Sequence, residues 1–218
     1  MHLRTALFDL DGTLVDHFAA IHRSYVHTLP QLGLPAPTLA QVRDAVGGGL
    51  ERAMLRFVTP AQLPAALAIY RPYFDRTMLD DVVLLPGARE ALESLAARGV
   101  VCAVLTNKVG PASRRLCLHL GITPWLKGIF GAQDTPWLKP DPRVVNHVLT
   151  EMKLPTDGLL MVGDSPFDIQ TGILSSFPCW AVTTGTHSSD QLRSAGAARV
   201  FANMPDLMSA LLAEIRQV

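Results

Sequence analysis

Four short apolar runs, each stopping at polar residues, constrain this chain more than any other feature of it. Residues 5–10 (TALFDL) end in Asp9 and run on to Asp11, and residues 100–105 (VVCAVL) end at Thr106 and Asn107. Residues 159–162 (LLMV) end at Gly163 and Asp164, and residues 179–182 (CWAV) end at Thr183, Thr184 and Gly185. Near-continuous apolar runs of this length suit strands buried on both faces, as in a parallel sheet. Residues 127–132 and 199–201 are weaker strand candidates. Helical patterns fall between them. Residues 88–98 place Ala88, Ala91, Leu92, Leu95 and Ala96 at a 3.6-residue period, with Gly99 as a stop. Residues 142–152 follow Asp141, an N-cap with proline at the first helical position, and residues 205–216 close the chain. Strand–helix alternation with short loops predicts an α/β fold with a doubly wound parallel sheet.

One interval breaks this rhythm. Asp9 and Thr106 lie about three times as far apart as the roughly 30 residues a βαβ unit needs. The excess, residues 16–82, has helical character over 18–32, 39–46, 50–57 and 60–79 and no convincing strand. It is expected to be a small α-helical domain inserted after the first strand, leaving residues 1–15 and 83–218 as the α/β core domain.

Lys plus Arg and Asp plus Glu number 19 each, so the formal net charge is zero. Such a chain has no global electrostatic reason to seek nucleic acid or an anionic membrane, and anion recognition must be local. Asp9 and Asp11 interrupt the first apolar stretch before a signal-peptide core forms, and no run is long enough to span a bilayer. Cys102, Cys117 and Cys179 are scattered and form no CxxC pair, as expected of reduced, buried thiols. A soluble, cytoplasmic protein is predicted; monomer and dimer are equally compatible with the sequence.

In an open parallel sheet, ligands bind beyond the carboxyl ends of the strands. Asp9, Asp11, Thr106, Asn107 and Asp164 stand at such ends, and Lys139 lies on a loop of the same series. Each has an ordinary explanation alone: Asp11-Gly12 as a turn, Thr106 as a cap, Lys139 as a solvated lysine, Asp168 as the partner of Ser165 in a capping box. Converging on one crevice, they suit phosphoryl transfer, which needs a nucleophile, a leaving-group acid and positive charge around the transferred oxygens. A carboxylate serves as nucleophile. Because it must approach an anionic phosphate, a cation is required, and magnesium takes hard oxygen ligands of the kind Asp9 and Asp164 offer. Lys139 adds fixed positive charge, and Thr106 and Asn107 add hydrogen-bond donors.

The run Asp9-Leu10-Asp11-Gly12-Thr13-Leu14-Val15-Asp16 resembles the first motif of the haloacid dehalogenase superfamily. Thr106-Asn107 is similar to its second motif, Lys139 to its third, and Gly163-Asp164 with Asp168 to its fourth, in the same order across nearly the whole chain. The resemblance implies a Rossmann-like core with a helical cap and an aspartyl-phosphate mechanism. It makes Asp9 the nucleophile, Asp11 the general acid and base, and Lys139 the third member of the catalytic set. Asp9, Asp164 and the main chain of Asp11 would hold Mg2+, and Asp168 would brace the site with Lys139. Thr13, Thr106, Asn107 and Lys108 would contact the substrate. The insertion, with Thr106-Asn107-Lys108 and Lys139-Pro140-Asp141-Pro142, is similar to the subfamily that includes phosphoglycolate phosphatases. Trp137, Phe167, Gly172 and Ser176-Phe177 depart from that pattern without removing a catalytic group.

Within the insertion, Gly47-Gly48-Gly49 precedes a helix bearing Arg52 and Arg56. Glycines permit close backbone approach and a helix start attracts anions, so Gly48 and Arg52 are candidates to read the substrate; a hinge with solvated arginines is the plain alternative. His17, His22 and His27 lack the companion carboxylates of a metal site. The expected activity is hydrolysis of a small phosphorylated metabolite, phosphoglycolate-like or a sugar phosphate. A sugar-phosphate mutase, or a silent binding protein on the same fold, is the alternative; Asp11 argues against a dehalogenase, which needs no second acid there.

Overall fold

The computed structural model describes residues 2–215. Six parallel strands form the central sheet: β1 (Thr5–Phe8), β4 (Val101–Val109), β5 (Leu126–Ala132), β6 (Leu159–Gly163), β7 (Cys179–Val182) and β8 (Arg199–Phe201), in the order β5-β4-β1-β6-β7-β8. Two further strands, β2 (Val15–Asp16) and β3 (Val83–Leu84), pair antiparallel as a separate ribbon. Four helices lie between them in the chain: α1 (Phe18–Thr28), α2 (Leu39–Arg43), α3 (Leu50–Met54) and α4 (Leu63–Thr77). The sheet helices are α5 (Ala88–Ala96), α6 (Gly110–His119), α7 (Pro142–Met152), α8 (Pro166–Leu174), α9 (Ser189–Ser194) and α10 (Met204–Glu214). The fold is the α/β class expected; the sequence pattern had offered only a capping box for the start of α8 and had not marked α6 or α9 as periodic helices. Arg216, placed in the closing helix by the sequence, lies outside the described residues.

The side-chain alternation of the strands explains their apolar runs. Ala6 and Phe8 of β1, Cys102 and Val104 of β4, and Leu160 and Val162 of β6 pack with α5, α6 and α10. Leu7, Ala103, Leu105 and Met161 point the other way and pack with α7, α8 and α9. A sheet covered on both faces has no solvated side, so the inner strands β1, β4, β6 and β7 are almost wholly apolar until they reach the ligand edge, while Lys127 and Arg199 fall on the edge strands β5 and β8.

β4 is longer than its apolar run. It continues through Thr106, Asn107 and Lys108 to Val109, with the pairing to β5 interrupted between Leu105 and Val109. An irregularity of this kind turns side chains out of the regular alternation, and it falls on the three polar residues of the strand.

Candidate active site

β1 delivers Asp9 into the carboxyl edge of the sheet between its neighbours β4 and β6. The carboxylate is buried, accepts the backbone N–H of Leu10 at 2.7 Å and a bond from Thr106, and lies 3.1 Å from the ammonium of Lys139. Burial dominates over the lysine and pushes its pKa up to about 6.

Lys139 is itself fixed. Its Nζ meets Asp168 at 2.5 Å, and both side chains are inaccessible, at 1% and 0% exposure. Burial alone would favour a neutral amine, but the charges of Asp168 and Asp9 raise its pKa, so it remains an ammonium. The other oxygen of Asp168 accepts the N–H of Ser165 at 3.0 Å and its hydroxyl at 2.6 Å. The capping box at the start of α8 and the anchor for Lys139 are therefore the same carboxylate.

The Lys139 backbone is held by Asn107. The Lys139 N–H donates to the Asn107 side-chain oxygen at 2.8 Å, and the Asn107 amide returns a bond to the Lys139 carbonyl at 3.1 Å. The same amide donates to the Gly47 carbonyl at 3.0 Å, joining β4 to the helical insertion. A second tie runs from Arg43 to the Gly185 carbonyl at 2.9 Å.

Asp164, at the end of β6, accepts the Thr13 hydroxyl at 3.1 Å and the Thr186 N–H at 3.3 Å. Gly12, with φ of 83°, lies where a Cβ would meet the Asp164 carboxylate at 2.8 Å. Burial, then repulsion from Asp9 and Asp168, raises the Asp164 pKa well above the ordinary range. Single oxygens of Asp9, Asp164 and Asp168 lie within 4.8 Å of one another. Since Asp168 is committed to Lys139 and Ser165, Asp9 and Asp164 are the carboxylates free to ligate. Two buried, mutually repelling carboxylates presenting hard oxygens fit a divalent cation.

Asp11 meets the Lys108 ammonium at 2.8 Å. Burial pushes its pKa up, but the Lys108 charge outweighs this and holds it well below the usual carboxylate range. His17 Nε2 donates to the Met78 carbonyl at 2.6 Å, leaving Nδ1 facing Asp11 at 3.5 Å, too far for a hydrogen bond. Burial and the Lys108 charge lower the His17 pKa.

These groups form the floor of a cavity of about 480 Å³ that runs from Asp9 and Asp164 into the helical insertion. Asp9, Asp11, Thr106, Asn107, Lys108 and Asp164 line it. Thr13, Lys139 and Asp168 stand behind that surface, and Thr13 touches Asp164. Arg52 is exposed and lies over the Phe167 ring at 5.1 Å, and a Cβ at Gly48 would meet that arginine at 2.7 Å. The arginines that do line the cavity are Arg71 and Arg115, with Tyr25, Tyr70 and Phe74 from α1 and α4. The sequence reading passed over these five, because helical periodicity marks the aromatic positions as core without saying that they border a space.

A family model described as haloacid dehalogenase-like hydrolase matches residues 6–182. The chain belongs to this family. Among relatives within it, a phosphoglycolate phosphatase of Yersinia pestis is 31% identical over 216 residues, covering 96% of this chain and 93% of that protein. A 5'-nucleotidase of Pseudomonas aeruginosa is also 31% identical, over 214 residues, covering 97% and 93%. A crystal structure of a predicted phosphoglycolate phosphatase from Haemophilus somnus superposes with a TM-score of 0.89 at 23% identity, covering 97% of this chain and 99% of that one. The fold is thus that of the haloacid dehalogenase-like hydrolases throughout. No helix among the described residues is long and apolar enough to cross a membrane.

Proposed function

We propose that this haloacid dehalogenase-like hydrolase is a magnesium-dependent phosphatase acting on a small phosphomonoester through an aspartyl-phosphate on Asp9. The observation that carries the reading is the Asp9 carboxylate, buried yet exposed to the cavity, 3.1 Å from an ammonium that Asp168 holds in place. A carboxylate so placed can attack phosphorus while Lys139 balances the charge that builds on the transferred oxygens. Asp9, Asp164 and the Asp11 main chain are assigned to Mg2+, which would supply Lewis-acid charge between the nucleophile and the phosphate. Thr106 steadies the nucleophile, and Asn107 sets the Lys139 backbone.

Asp11 is the general acid and base. Without substrate it is held ionised by Lys108, the form that activates water in the second half-reaction. A phosphate dianion competes for Lys108, and withdrawing that ammonium raises the Asp11 pKa toward the acid form that the first half-reaction needs. The helical insertion, residues 16–82, acts as a cap that excludes water, with Gly48 and Arg52 shaping the loop against Phe167. The relatives named above, one acting on phosphoglycolate and one on nucleotides, support a small phosphomonoester as substrate.

The test is phosphate release from a panel of phosphomonoesters with magnesium and with chelator, using wild type and Asp9→Asn. Wild type should be active only with the metal, and Asp9→Asn should lose about 10⁴- to 10⁶-fold. Acid quenching during turnover of a phosphorus-labelled ester should leave label on wild type and none on Asp9→Asn. Substantial turnover by Asp9→Asn rejects the assignment.

A further inference from the structure

The cavity extends well past the catalytic floor, and its outer part has a chemical character of its own. About 480 Å³ lies within the range that holds ring-sized organic ligands, and a two-carbon acid would leave most of it unfilled. Ile21, Tyr25, Leu50, Ala53, Tyr70 and Phe74 form much of the wall on the side of the helical insertion. The aromatic groups are ordered against each other: Tyr25 meets Tyr70 edge-on at 5.2 Å, and Tyr70 stacks on Phe74 at 5.5 Å.

The charges around this chamber are already balanced. Arg71 pairs with Glu51 at 2.5 Å. Arg115 reaches the Asp75 carboxylate at 4.0 Å and its carbonyl at 3.2 Å. Lys108 is committed to Asp11 at the floor. Among the described residues lining the cavity, every cation thus faces a carboxylate, and a second anionic group on the substrate meets no uncommitted positive charge. Uncharged hydrogen-bonding capacity is equally scarce beyond the floor. The Tyr70 hydroxyl bonds Ser24, and Gln133 stands exposed. The Tyr25 hydroxyl is buried in the wall without a hydrogen-bond partner. A polyol would bury several hydroxyls against Ile21, Leu50, Ala53 and Phe74, at roughly tenfold or more in affinity for each one left unpaired.

We infer that this chamber receives an uncharged leaving group with an apolar or aromatic ring, so that the favoured substrate is the phosphomonoester of a ring-bearing alcohol rather than of a hydroxy acid or a sugar. The inference rests on the phosphatase reading and narrows its substrate class. The ring lies among Tyr25, Tyr70 and Phe74.

The experiment compares kcat/KM of the full chain with magnesium on benzyl phosphate, phosphoglycolate and glucose 6-phosphate, three alkyl esters without an activated leaving group. Benzyl phosphate should exceed each of the others by roughly 10- to 100-fold, the value of burying part of one ring. Ala53→Leu, which fills the chamber, should lower the benzyl-to-phosphoglycolate ratio at least tenfold. Ile21→Ala, which removes wall contact and cannot clash, should lower it severalfold and serves if Ala53→Leu does not fold. Phosphoglycolate or glucose 6-phosphate matching or exceeding benzyl phosphate overturns the inference and leaves the phosphatase reading intact. A ratio unmoved by the folded variants overturns the assignment of the chamber. No phosphate release from any ester rejects the phosphatase reading, and the inference with it.

Discussion

Two aspartates of one buried cluster should answer the same near-isosteric change with opposite signs. Asp168 gives one oxygen to Lys139 at 2.5 Å and the other to Ser165 at 3.0 and 2.6 Å. An amide presents its oxygen to only one of these partners and turns N–H donors toward the other. Breaking a buried ion pair by removing one member costs about 3–5 kcal/mol, so Asp168→Asn should be strongly destabilising. Asp164 is held by two weak donors, Thr13 at 3.1 Å and Thr186 at 3.3 Å, and Asp9 and Asp168 repel it from within 4.8 Å. At an effective dielectric constant of about 20, one such pair costs about 3 kcal/mol, which Lys139 and partial protonation reduce. The Thr13 hydroxyl can turn to accept from an amide. Asp164→Asn should therefore leave the metal-free protein unchanged or up to about 2 kcal/mol more stable. Urea unfolding in chelator and again in millimolar magnesium measures both effects. Wild type should gain stability with the metal, and Asp164→Asn should lose most of that gain. Destabilisation of Asp164→Asn by 3 kcal/mol or so in chelator, or an undiminished response to magnesium, would refute the reasoning.

Asp9 binds its proton more tightly folded, at about 6, than its ordinary value of 3.8, so in chelator its contribution falls as pH rises through that window. The loss relative to Asp9→Asn should reach about 3 kcal/mol near pH 7, and a wild-type-minus-variant difference that stays flat with pH would contradict it. Asp11→Asn should cut kcat/KM on alkyl phosphates far more than on aryl phosphates, whose leaving oxygen needs less protonation; equal losses on both would count against the acid role. Tyr25→Phe deletes a buried hydroxyl with no partner, so in the free protein it should be neutral or stabilising by about 1 kcal/mol, some 2–4 °C in Tm. A marked drop in Tm would mean that the hydroxyl has a partner in solution.

The sheet was legible because strands covered on both faces leave unbroken apolar runs, and β1, β4, β6 and β7 all carried one. β4 was read short because its last positions, Thr106 to Lys108, are polar and lie where its pairing is interrupted. The six residues of α9 are too few to show a period. The candidate site was visible as polar residues terminating strands. The partners within it were less so: Lys108 on Asp11, His17 beside it and Asn107 on the Lys139 backbone each join segments remote in sequence. In the insertion, the triple glycine drew attention to Arg52 and nothing local pointed to Arg71. Only the packing of α3 and α4 distinguishes the arginine on Phe167 from the one at the cavity.

The β2–β3 ribbon has a consequence for how such a chain can diversify. Asp16 and Val83 are cross-strand partners, so the excursion through α1 to α4 leaves and re-enters the core at one place. To the core, that whole segment is the loop of a hairpin whose ends are already together. Lengthening or exchanging it adds only a slowly growing closure entropy and does not disturb the register of the six-stranded sheet. The cavity walls contributed by this segment can therefore be replaced wholesale while Asp9, Lys139 and Asp164 stay where they are, so under the proposed function the guest would be the easiest property to change and the phosphate chemistry the hardest.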